Sequence, residues 1–354
     1  MLKVVVAMSG GVDSSVAAAI LKQQGYEVVG MMLRLWSESG KEDSNRCCTP
    51  DTMALARRVA AKLEIPFYVI DAKQIFKETV VQYFIDGYAR GETPNPCLVC
   101  NRQIRWKYLL DHALAIGASF MATGHYARLS NNEKGGKQLL RAVDRSKDQS
   151  YVLHVLDQDQ LSKALFPIGE YPKPEIRRMA ESFGLPTASR KDSQDLCFLA
   201  GDDYRKFLKR NTEKLFAQGE IVSTSGEVVG KHNGLVNYTI GQRKGLDVPS
   251  SVPLYVIRKD ISKNTLIVGE QERLGSRELS AHDVNWVAGE AIKGSFHAEV
   301  KTRYTAKESP AVVTPVNNGS EVQVHFDEPQ RDITAGQAAV FYQGEVVIGG
   351  GIIQ

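Results

Sequence analysis

Residues 3–15, KVVVAMSGGVDSS, decide the fold that we expect for this chain. Their apolar run at 4–8 is typical of a buried parallel strand, and a helical pattern through Ile20 follows the turn Ser9-Gly10-Gly11. Adjacent glycines let the backbone pass close to a ligand and adopt positive φ, so that successive N–H groups converge on an anion. A strand, a glycine turn and a helix in this order therefore predict a phosphate site at the helix N-terminus.

The spelling of this turn excludes two common nucleotide loops. No lysine follows the glycines, as a Walker A loop requires, and the turn does not read GxGxxG, the pattern of dinucleotide sites. An ordinary structural alternative is a glycine turn followed by a helix that Asp13 and Ser14 cap. We favour phosphate binding because the strand, the glycines and the helix occur in the order that such a site needs.

The composition is that of a globular protein with more than one domain. The chain has 354 residues, of which 43% are hydrophobic and 24% charged, so it is long enough for several cores. Its formal net charge is only +3, and nucleic-acid binding would therefore depend on local basic patches. The N-terminus lacks the apolar core of a signal peptide, and no run reaches the length of a membrane span. These features predict a cytoplasmic protein without a membrane partner.

Apolar strands alternate with helical stretches up to about residue 200. Strands are expected at residues 27–33, 67–70 and 120–123, and helices at 51–63, 73–88, 101–116 and 172–183. This alternation predicts an α/β fold with a doubly wound parallel sheet, whose ligands bind at the carboxyl ends of the strands. That edge would carry the glycine turn, the loop after Leu33, and Gly124. The polar segment 36–48 is interpreted as a mobile loop over the nucleotide site.

The pattern changes after a short basic helix at residues 202–210. Residues 221–229 predict a hairpin around Ser225-Gly226, and residues 254–258 with 265–268 predict another. Alternating apolar and polar residues continue to the C-terminus. We therefore expect a first domain at residues 1–204, a small mixed connector domain at 205–274 and a C-terminal antiparallel β-barrel at 275–354.

The sequence has five cysteines, Cys47, Cys48, Cys97, Cys100 and Cys197. They are too few and too unevenly spaced for a disulfide framework in a chain of this length. In GETPNPCLVCN, residues 91–101, prolines fix the backbone and Asn101 is expected to cap the next helix. Cys100 would then lie at a helix N-terminus, which lowers a thiol pKa and favours the thiolate. Cys197 follows Arg190 and Lys191 in SRKDSQDLCF, and these cations would stabilise anionic sulfur.

The cysteines also have plainer interpretations. A lone CxxC pair is compatible with half a zinc site, a redox pair or a packing pair. A tetrahedral zinc site needs a ligand beyond Cys97, Cys100 and Cys197, and the sequence points to none. His125 fits a structural role as well as a ligand role, and we assign the pair at 47–48 a structural or incidental role.

Further motifs make the chain resemble a known family. SGGVDS, GETPNPCxxCN, TGHYAR, KDQSYVL, SRKDSQDLCF and YTIGQRKGL, in this order and over nearly the whole chain, are similar to the motifs of bacterial tRNA-specific 2-thiouridylases. These enzymes belong to the ATP pyrophosphatase, or PP-loop, superfamily. The resemblance therefore implies that the doubly wound sheet has the fold called adenine nucleotide alpha hydrolase-like. They replace the C2 oxygen of the wobble uridine, position 34 in certain tRNAs, with sulfur. The resemblance implies that activity here, with ATP converted to AMP and diphosphate.

The resemblance also implies roles for individual residues. Cys100 would be the nucleophile and Cys197 the persulfide carrier, with a transient disulfide between them, and Asp13 would help to position Mg²⁺. ATP would contact Ala7, Met8, Ser9, Gly10, Gly11, Val12, Asp13, Ser14, Leu33 and Gly124. The target base would contact Asn95, Pro96 and Cys97, and other parts of the tRNA would contact Lys147, Asp148, Gln149, Arg303 and Tyr304. A sulfur-relay protein or a cysteine desulfurase would deliver the sulfur.

Residue 97 departs from the family pattern, because many members carry Asp where this chain has Cys97. An acid–base role for that Asp therefore does not carry over. Thiolates at Cys97, Cys100 and Cys197 would suffice to hold three irons of a 4Fe-4S cluster and leave one open. A cluster mechanism is thus an alternative to the persulfide mechanism.

The chemistry of the residues supports RNA thiolation independently. A urea-type carbonyl oxygen is a poor leaving group, so its exchange needs prior adenylation. A persulfide then supplies sulfur if a second thiol can accept the resulting disulfide. Three basic patches with some aromatic residues suit an anticodon loop whose base is splayed out. They are Arg102, Arg105, Trp106 and Lys107; Arg205, Lys206, Lys209 and Arg210; and Lys301, Arg303, Tyr304 and Lys307.

Two other functions explain less of the sequence. A PP-loop synthetase acting on a small molecule leaves the cysteines and the barrel without a role. A metal-holding RNA-binding protein leaves the SGGVDS loop without one.

Overall fold

The computed structural model describes residues 1–40, 49–133, 135–190, 196–199, 201–331 and 333–354. Cys47, Cys48 and Lys191 lie outside these described residues, as does the part of segment 36–48 beyond Gly40.

The N-terminal part of the chain alternates strands and helices. Its strands are β1 (Lys3–Ala7), β2 (Glu27–Arg34), β3 (Phe67–Asp71), β4 (Phe120–Thr123), β5 (Arg128–Asn131), β6 (Lys137–Leu140) and β7 (Ala164–Leu165). Its helices are α1 (Val12–Gln23), α2 (Pro50–Lys62), α3 (Lys73–Phe76), α4 (Gln82–Ala89), α5 (Pro96–Val99), α6 (Leu110–Ala115), α7 (Ser150–Leu153), α8 (Gln158–Ser162), α9 (Lys173–Ser182) and α10 (Tyr204–Asn211). Two π-helical segments, Lys77–Val81 and Cys100–Leu109, join α3 to α4 and α5 to α6.

The predicted doubly wound sheet is confirmed. Its strand order is β3-β2-β1-β4-β7, and every neighbouring pair is parallel. The chain leaves β1 toward β2 on one side and returns to β4 on the other, so β1 is central, and Val4, Val5 and Val6 are 0% exposed. The carboxyl ends of β1, β2 and β4 therefore share one edge, as open parallel sheets require for ligand binding.

The helix that carries the cysteines begins earlier than the sequence predicted. Asn95, not Asn101, is its N-cap: the Asn95 side chain accepts a hydrogen bond from Cys97 N at 3.1 Å, and Pro96 occupies the first turn. Proline fits that position because the N–H that it lacks has no partner inside the helix. Asn101 instead lies inside the helical run and is 3% exposed.

The rest of the chain forms two further sheets. The first contains β8 (Gln218–Ser223), β9 (Val228–Asn233), β10 (Tyr255–Asp260) and β11 (Thr265–Gly269), in the order β10-β11-β8-β9. Its two hairpins match those predicted. One of them turns at Gly226, whose φ is 91°.

The last sheet is a closed antiparallel barrel. Its strands are β12 (Ser276–Trp286), β13 (Phe296–Lys301), β14 (Ser309–Val316), β15 (Glu321–Gln330), β16 (Ala338–Gln343) and β17 (Val346–Ile353). They run in the order β12-β15-β14-β13-β16-β17, and pairing of β12 with β17 closes the ring. The β5–β6 hairpin, which the sequence did not predict, pairs with β17 through Leu140 and Val346.

Short 3₁₀ helices complete the described chain: Cys197–Leu199, Glu213–Phe216, Leu235–Asn237, Gln271–Arg273 and Asn317–Gly319. None of the helices in the described ranges is both long and apolar enough to cross a membrane.

Candidate active site

The glycine turn after β1 has the geometry of an anion-binding loop. Gly10 adopts a φ of 70°, and a Cβ there would lie 2.5 Å from Thr52 O, so only glycine fits. Gly11 has a φ of −91° and is the N-cap of α1, without a side-chain hydrogen bond to the helix. The N-terminal N–H groups of α1 therefore point toward the carboxyl edge of the sheet, where they attract anions.

The serines of the loop stabilise its conformation. Ser9 N donates to Ser14 Oγ at 3.2 Å, and Ser15 Oγ donates to Gly11 O at 2.7 Å. Ser14 and Ser15 are buried, whereas Ser9 is exposed. The loop is thus held in its conformation by its own side chains, and Ser9 remains exposed.

The carboxylate of Asp13 is held by two side chains from distant parts of the sequence. Lys173 Nζ lies 2.7 and 2.8 Å from its two oxygens, and Tyr126 donates to it from its hydroxyl at 2.8 Å. The Lys173 side chain is only 9% exposed, so its charge acts where little water screens it. Asp13 therefore does not simply cap α1, as the structural alternative supposed.

Sequence reasoning missed Lys173 and Tyr126, and it also missed the contact that Arg190 makes with the glycine turn. Arg190 Nη1 donates to Gly10 O at 2.7 Å, so this guanidinium lies at the phosphate loop. In the sequence analysis, Arg190 is considered only as a cation near Cys197 in sequence, and this contact with Gly10 is not predicted. Tyr126 is part of TGHYAR, whereas Lys173 has no motif signal beyond its place at the start of a helix.

Gly124, which follows β4, packs closely against the backbone of the first turn of α1. A Cβ on Gly124 would lie 2.6 Å from Ser14 N and 2.7 Å from the carbonyl carbon of Asp13, so any side chain would force the two apart. Leu33, near the end of β2, is half-buried at the same edge. The structure thus places Gly124 and Leu33 at the edge where the sequence analysis expected ATP.

His125 is a neutral structural residue with both ring nitrogens occupied. Arg105 Nη1 donates to Nε2 at 2.9 Å, and Nδ1 lies 2.8 Å from Thr123 Oγ1. A guanidinium can only donate, so Nε2 accepts and Nδ1 carries the proton. Burial, and then the charge of Arg105, holds the pKa of His125 well below its usual value. Arg105 therefore links the cysteine-bearing helix to the end of β4.

The structure brings Cys100 and Cys197 to one apolar cluster. Both are half-buried and pack against a core that includes Phe84 and Phe198, whereas Cys97 is exposed. Because the helix starts at Pro96, the first turn, where the macrodipole lowers a thiol pKa, holds Cys97. Cys100 lies beyond this first turn, so the predicted helix start that assigned the effect to Cys100 was wrong.

The predicted RNA contacts lie on two stretches of the chain: Arg303 and Tyr304, which follow β13, and residues 147–149. Burial, and then the charges of Asp148 and Cys97, raise the pKa of Tyr304, whose ring also meets Tyr151 edge-on with centroids 6.0 Å apart. Arg303 Nη2 donates to Thr334 Oγ1.

The side chains at 148–149 make internal hydrogen bonds. Asp148 accepts from Ala142 N at 2.9 Å and from Ser150 Oγ at 2.7 Å, and Gln149 Oε1 accepts from Tyr126 N at 3.0 Å. Lys147 is half-buried beside them.

The basic helix α10 is partly neutralised. Arg210 donates from Nε and Nη2 to Glu38 at 2.8 and 2.7 Å and from Nη2 to Asp202 at 2.8 Å. Trp36 meets Phe207 edge-on, with ring centroids 6.3 Å apart. The described start of segment 36–48, which the sequence analysis interpreted as a mobile loop over the nucleotide site, therefore packs on α10.

Comparisons with known proteins cover almost the whole chain. Residues 2–201 match the family model described as tRNA methyl transferase HUP domain, residues 205–270 the tRNA methyl transferase PRC-barrel domain, and residues 276–353 the aminomethyltransferase beta-barrel domain.

Three similar relatives carry the name tRNA-specific 2-thiouridylase MnmA. The protein of Acetivibrio thermocellus is 45% identical over 99% of both chains. A second, from Caldanaerobacter subterraneus and numbered MnmA 2, is 46% identical over 99% of this chain and 98% of its own. The third, from Heliobacterium modesticaldum, is 47% identical over 99% of this chain and 92% of its own. This chain therefore belongs to the family of tRNA-specific 2-thiouridylases.

Proposed function

We propose that the protein is a tRNA-uridine 2-sulfurtransferase, which uses ATP to replace the C2 oxygen of the wobble uridine with sulfur. The observation that carries the proposal is the near-complete match to relatives named tRNA-specific 2-thiouridylase, at 45% identity over 99% of the chain. The geometry supports it, because an anion-binding loop lies at the carboxyl edge of the sheet and two cysteines share one nearby cluster.

The phosphate loop would serve the first step, in which the uridine C2 oxygen attacks the α-phosphate of ATP and diphosphate leaves. We assign ATP to Ala7, Met8, Ser9, Gly10, Gly11, Val12, Asp13, Ser14, Leu33 and Gly124. Lys173 and Arg190 would add positive charge beside the phosphates, where negative charge on diphosphate develops. Adenylation turns the C2 oxygen into part of AMP, a good leaving group.

The cysteines would serve the second step. The terminal sulfur of a Cys197 persulfide attacks C2 and AMP leaves with the oxygen. The Cys100 thiolate then attacks Cys197 Sγ, so that the S–S bond breaks, sulfur stays on the base and a Cys100–Cys197 disulfide forms. A thiol reductant must supply two electrons to restore both thiols. The shared cluster of Cys100 and Cys197 supports this pairing.

We propose Mg²⁺, held by Asp13 together with the phosphates of ATP, rather than an iron–sulfur cluster as the metal of this site. Mg²⁺ is usually bound through one or two carboxylates and substrate phosphates, and Asp13 offers such oxygens beside the loop. Among the described residues, no group of three or more His, Cys, Asp or Glu side chains is placed to hold a metal ion. We therefore propose the persulfide route and derive no step through a 4Fe-4S cluster.

We place the RNA on the side of the cysteines and the barrel. The target base would contact Asn95, Pro96 and Cys97, and other parts of the tRNA would contact residues 147–149, Arg303 and Tyr304. The pKa of Tyr304 responds to the charge of Cys97, which supports a shared site. A sulfur-relay protein or cysteine desulfurase would act on Cys197, and we place the reaction in the cytoplasm, where tRNA is found.

The proposal is tested by nucleoside analysis. Mass spectrometry of tRNA hydrolysed from cells that lack the gene should show no 2-thiouridine derivatives at position 34, and a plasmid copy should restore them. In vitro, the purified protein should release AMP and diphosphate in proportion to thiolated tRNA. ADP as the main nucleotide product, or unchanged thiolation in the deletion strain, would contradict the proposal.

A further inference from the structure

The segment just before the cysteines is bonded to the barrel. Thr93 N donates to Ala335 O at 2.8 Å, and Gln337 Nε2 donates to Thr93 O at 2.6 Å. Both polar backbone groups of Thr93 are therefore bound by residues 334–337, which we call the barrel turn and which connect β15 to β16. A contact through backbone groups fixes the position of the chain whatever side chain it carries.

The backbone of the barrel turn lies directly against residues 92 and 93 at Gly336. Gly336 has a φ of 86°, and a Cβ there would lie 2.9 Å from Glu92 Cβ and 3.1 Å from Thr93 N. Real Cβ atoms essentially never approach another atom as closely as 2.9 Å, and 3.1 Å is tighter than most real Cβ contacts, so a side chain at 336 would push the segment away.

The connector sheet meets the same segment from another direction. Gly91 has a φ of 79°, and a Cβ there would lie 2.2 Å from Cδ1 of Ile261, which follows β10. Lys259 of β10 lies close enough to Glu92 to feel its charge, although burial lowers the pKa of Lys259 to about 8. Residues 91–93, which are half-buried, are therefore contacted by both of the other sheets.

The residues between Thr93 and the cysteines are rigid, so the position of Thr93 determines where the helix with Cys97 and Cys100 begins. Pro94 is buried, and a Cβ on Gly87 would lie 2.7 Å from its Cγ. Asn95 follows as the N-cap, and Pro96 opens the helix that contains Cys97 and Cys100. Prolines fix φ, so a displacement of Thr93 is passed to the helix start rather than absorbed.

We propose that the barrel turn positions the thiol-bearing segment, with Gly336 and Gln337 as positioning residues, so that the barrel completes the sulfur-transfer site. The inference rests on the proposed function for its catalytic consequence, but the positioning itself can be measured without that function. It gives the barrel a second role, because Arg303, a proposed RNA contact, is bonded to Thr334 of the same turn.

The first test compares two glycines of the barrel. Gly336→Ala introduces a methyl group against Glu92 and Thr93. Gly344→Ala is the matched control, because Gly344 also has a positive φ, 56°, but has nothing within 4 Å of the added Cβ. Gly336→Ala should lower kcat for thiolation about tenfold or more while the Kd for tRNA stays unchanged, since small misplacements of reacting groups slow reactions strongly. Gly344→Ala should change neither.

The second test measures position without the reaction. Protein without ATP or tRNA is alkylated with iodoacetamide, and mass spectrometry follows Cys97 and Cys100 separately. Gly336→Ala should change at least one of the two rates about threefold or more, because exposure and helix-end geometry control thiolate reactivity. Gly344→Ala should match the wild type. If alkylation responds but the wild type does not thiolate tRNA, the proposed function fails and the positioning stands.

A milder variant covers the case in which Gly336→Ala does not fold. Gln337→Ala removes only the hydrogen bond to Thr93 O, and it should change alkylation and kcat in the same direction by a smaller factor. Unchanged alkylation in Gln337→Ala, together with a raised Kd for tRNA, would show that the turn is an RNA contact and would overturn the proposal. Unchanged alkylation and unchanged kcat would overturn it as well.

Discussion

Lys173 and Asp13 form the contact at the phosphate loop that most directly invites a mutational test. We predict that Lys173→Ala lowers the rate of AMP formation about tenfold or more, equivalent to roughly 1.4 kcal/mol in the barrier. The ammonium orients the carboxylate and adds positive charge where diphosphate leaves. Quenched-flow measurement of AMP would show the loss, and Lys163→Ala, at an exposed lysine after α8, is the control. A rate equal to that of the control would refute the role.

The cysteines allow the two sulfur mechanisms to be separated. Anaerobically reduced, metal-free protein incubated with a cysteine desulfurase should gain one sulfur mass on Cys197. Cys197→Ser should lose label and activity, Cys100→Ser should keep the label but lose activity, and Cys97→Ser should be milder. In a cluster enzyme, all three variants would lose iron absorbance and activity together, and the metal-free protein would be inert. Mass spectrometry of the labelled peptides decides between them.

The sequence predicted the site residues that a local backbone conformation requires. It did not predict the side chains that pair with residues far away in the sequence. Gly10 and Gly124 follow from the order of strand, turn and helix, because close backbone approach requires glycine there. Lys173 and Asp13 are 160 residues apart, and no periodicity records that they meet. The bond from Arg190 to Gly10 was not predicted either, because the sequence analysis considered Arg190 only as a neighbour of Cys197.

At the scale of elements, the sequence predicted strands well and helix starts less well. Short apolar runs marked β2 and β4 because a strand that is mostly buried on both faces has little freedom in composition. The edge strand β3 is only partly buried, but its run Phe67 to Ile70 was apolar enough to be recognised. The start of the cysteine helix was missed because Asn95 and Asn101 both suit an N-cap; Pro96, favoured in the first turn, distinguishes them. The pairing of β6 with β17 joins residues 140 and 346, and such a contact depends on the assembled barrel rather than on local pattern.

Helix α10 provides a prediction at this scale. Arg210→Ala should speed amide hydrogen exchange in residues 36–40 and 201–203, because the guanidinium binds Glu38 and Asp202 on those segments. The pair is partly exposed, so the cost in global stability should be below about 1 kcal/mol. Lys209→Ala, in the same helix turn, should leave exchange unchanged but reduce the salt dependence of tRNA binding. Exchange that responds equally in both variants would contradict this division.

At the scale of the molecule, the first domain and the barrel share one hydrophobic cluster. Trp106 and Tyr151 pack with Val340 and Tyr342 of the barrel strand β16. Tyr151 also donates from its hydroxyl to Ala338 O at 3.0 Å. A shared core of this kind means that the barrel cannot shift without disturbing the helices beside the thiols, which agrees with the proposed role of the barrel turn.

The same interface contains an ionic network that should make it sensitive to acid. Arg141, after β6, donates to Glu308 Oε1 at 2.5 Å and to Glu299 at 3.2 Å, and its Cζ lies 3.8 Å from the ring centroid of Tyr342. Burial alone would raise the pKa of Glu308. Hydrogen bonds from its own backbone N–H and from Arg141, with the charge of Lys301, outweigh burial and lower it below 4.5.

A carboxylate with a lowered pKa in the folded state stabilises the fold fully above its unfolded pKa and loses that contribution as pH falls through the folded pKa. We therefore predict that Glu308→Gln lowers the free energy of unfolding by roughly 1.5–3 kcal/mol at neutral pH, the range for hydrogen bonds to charged groups. The difference should begin to shrink as pH falls below 4.5, the ordinary pKa of a glutamate, and should vanish below the lower pKa that Glu308 has in the folded state. Urea unfolding at a series of pH values measures both effects. Glu328→Gln is the control, since that side chain is 80% exposed and should change stability little. If wild type and Glu308→Gln lose stability in parallel on acidification, the network does not set the acid sensitivity of the interface.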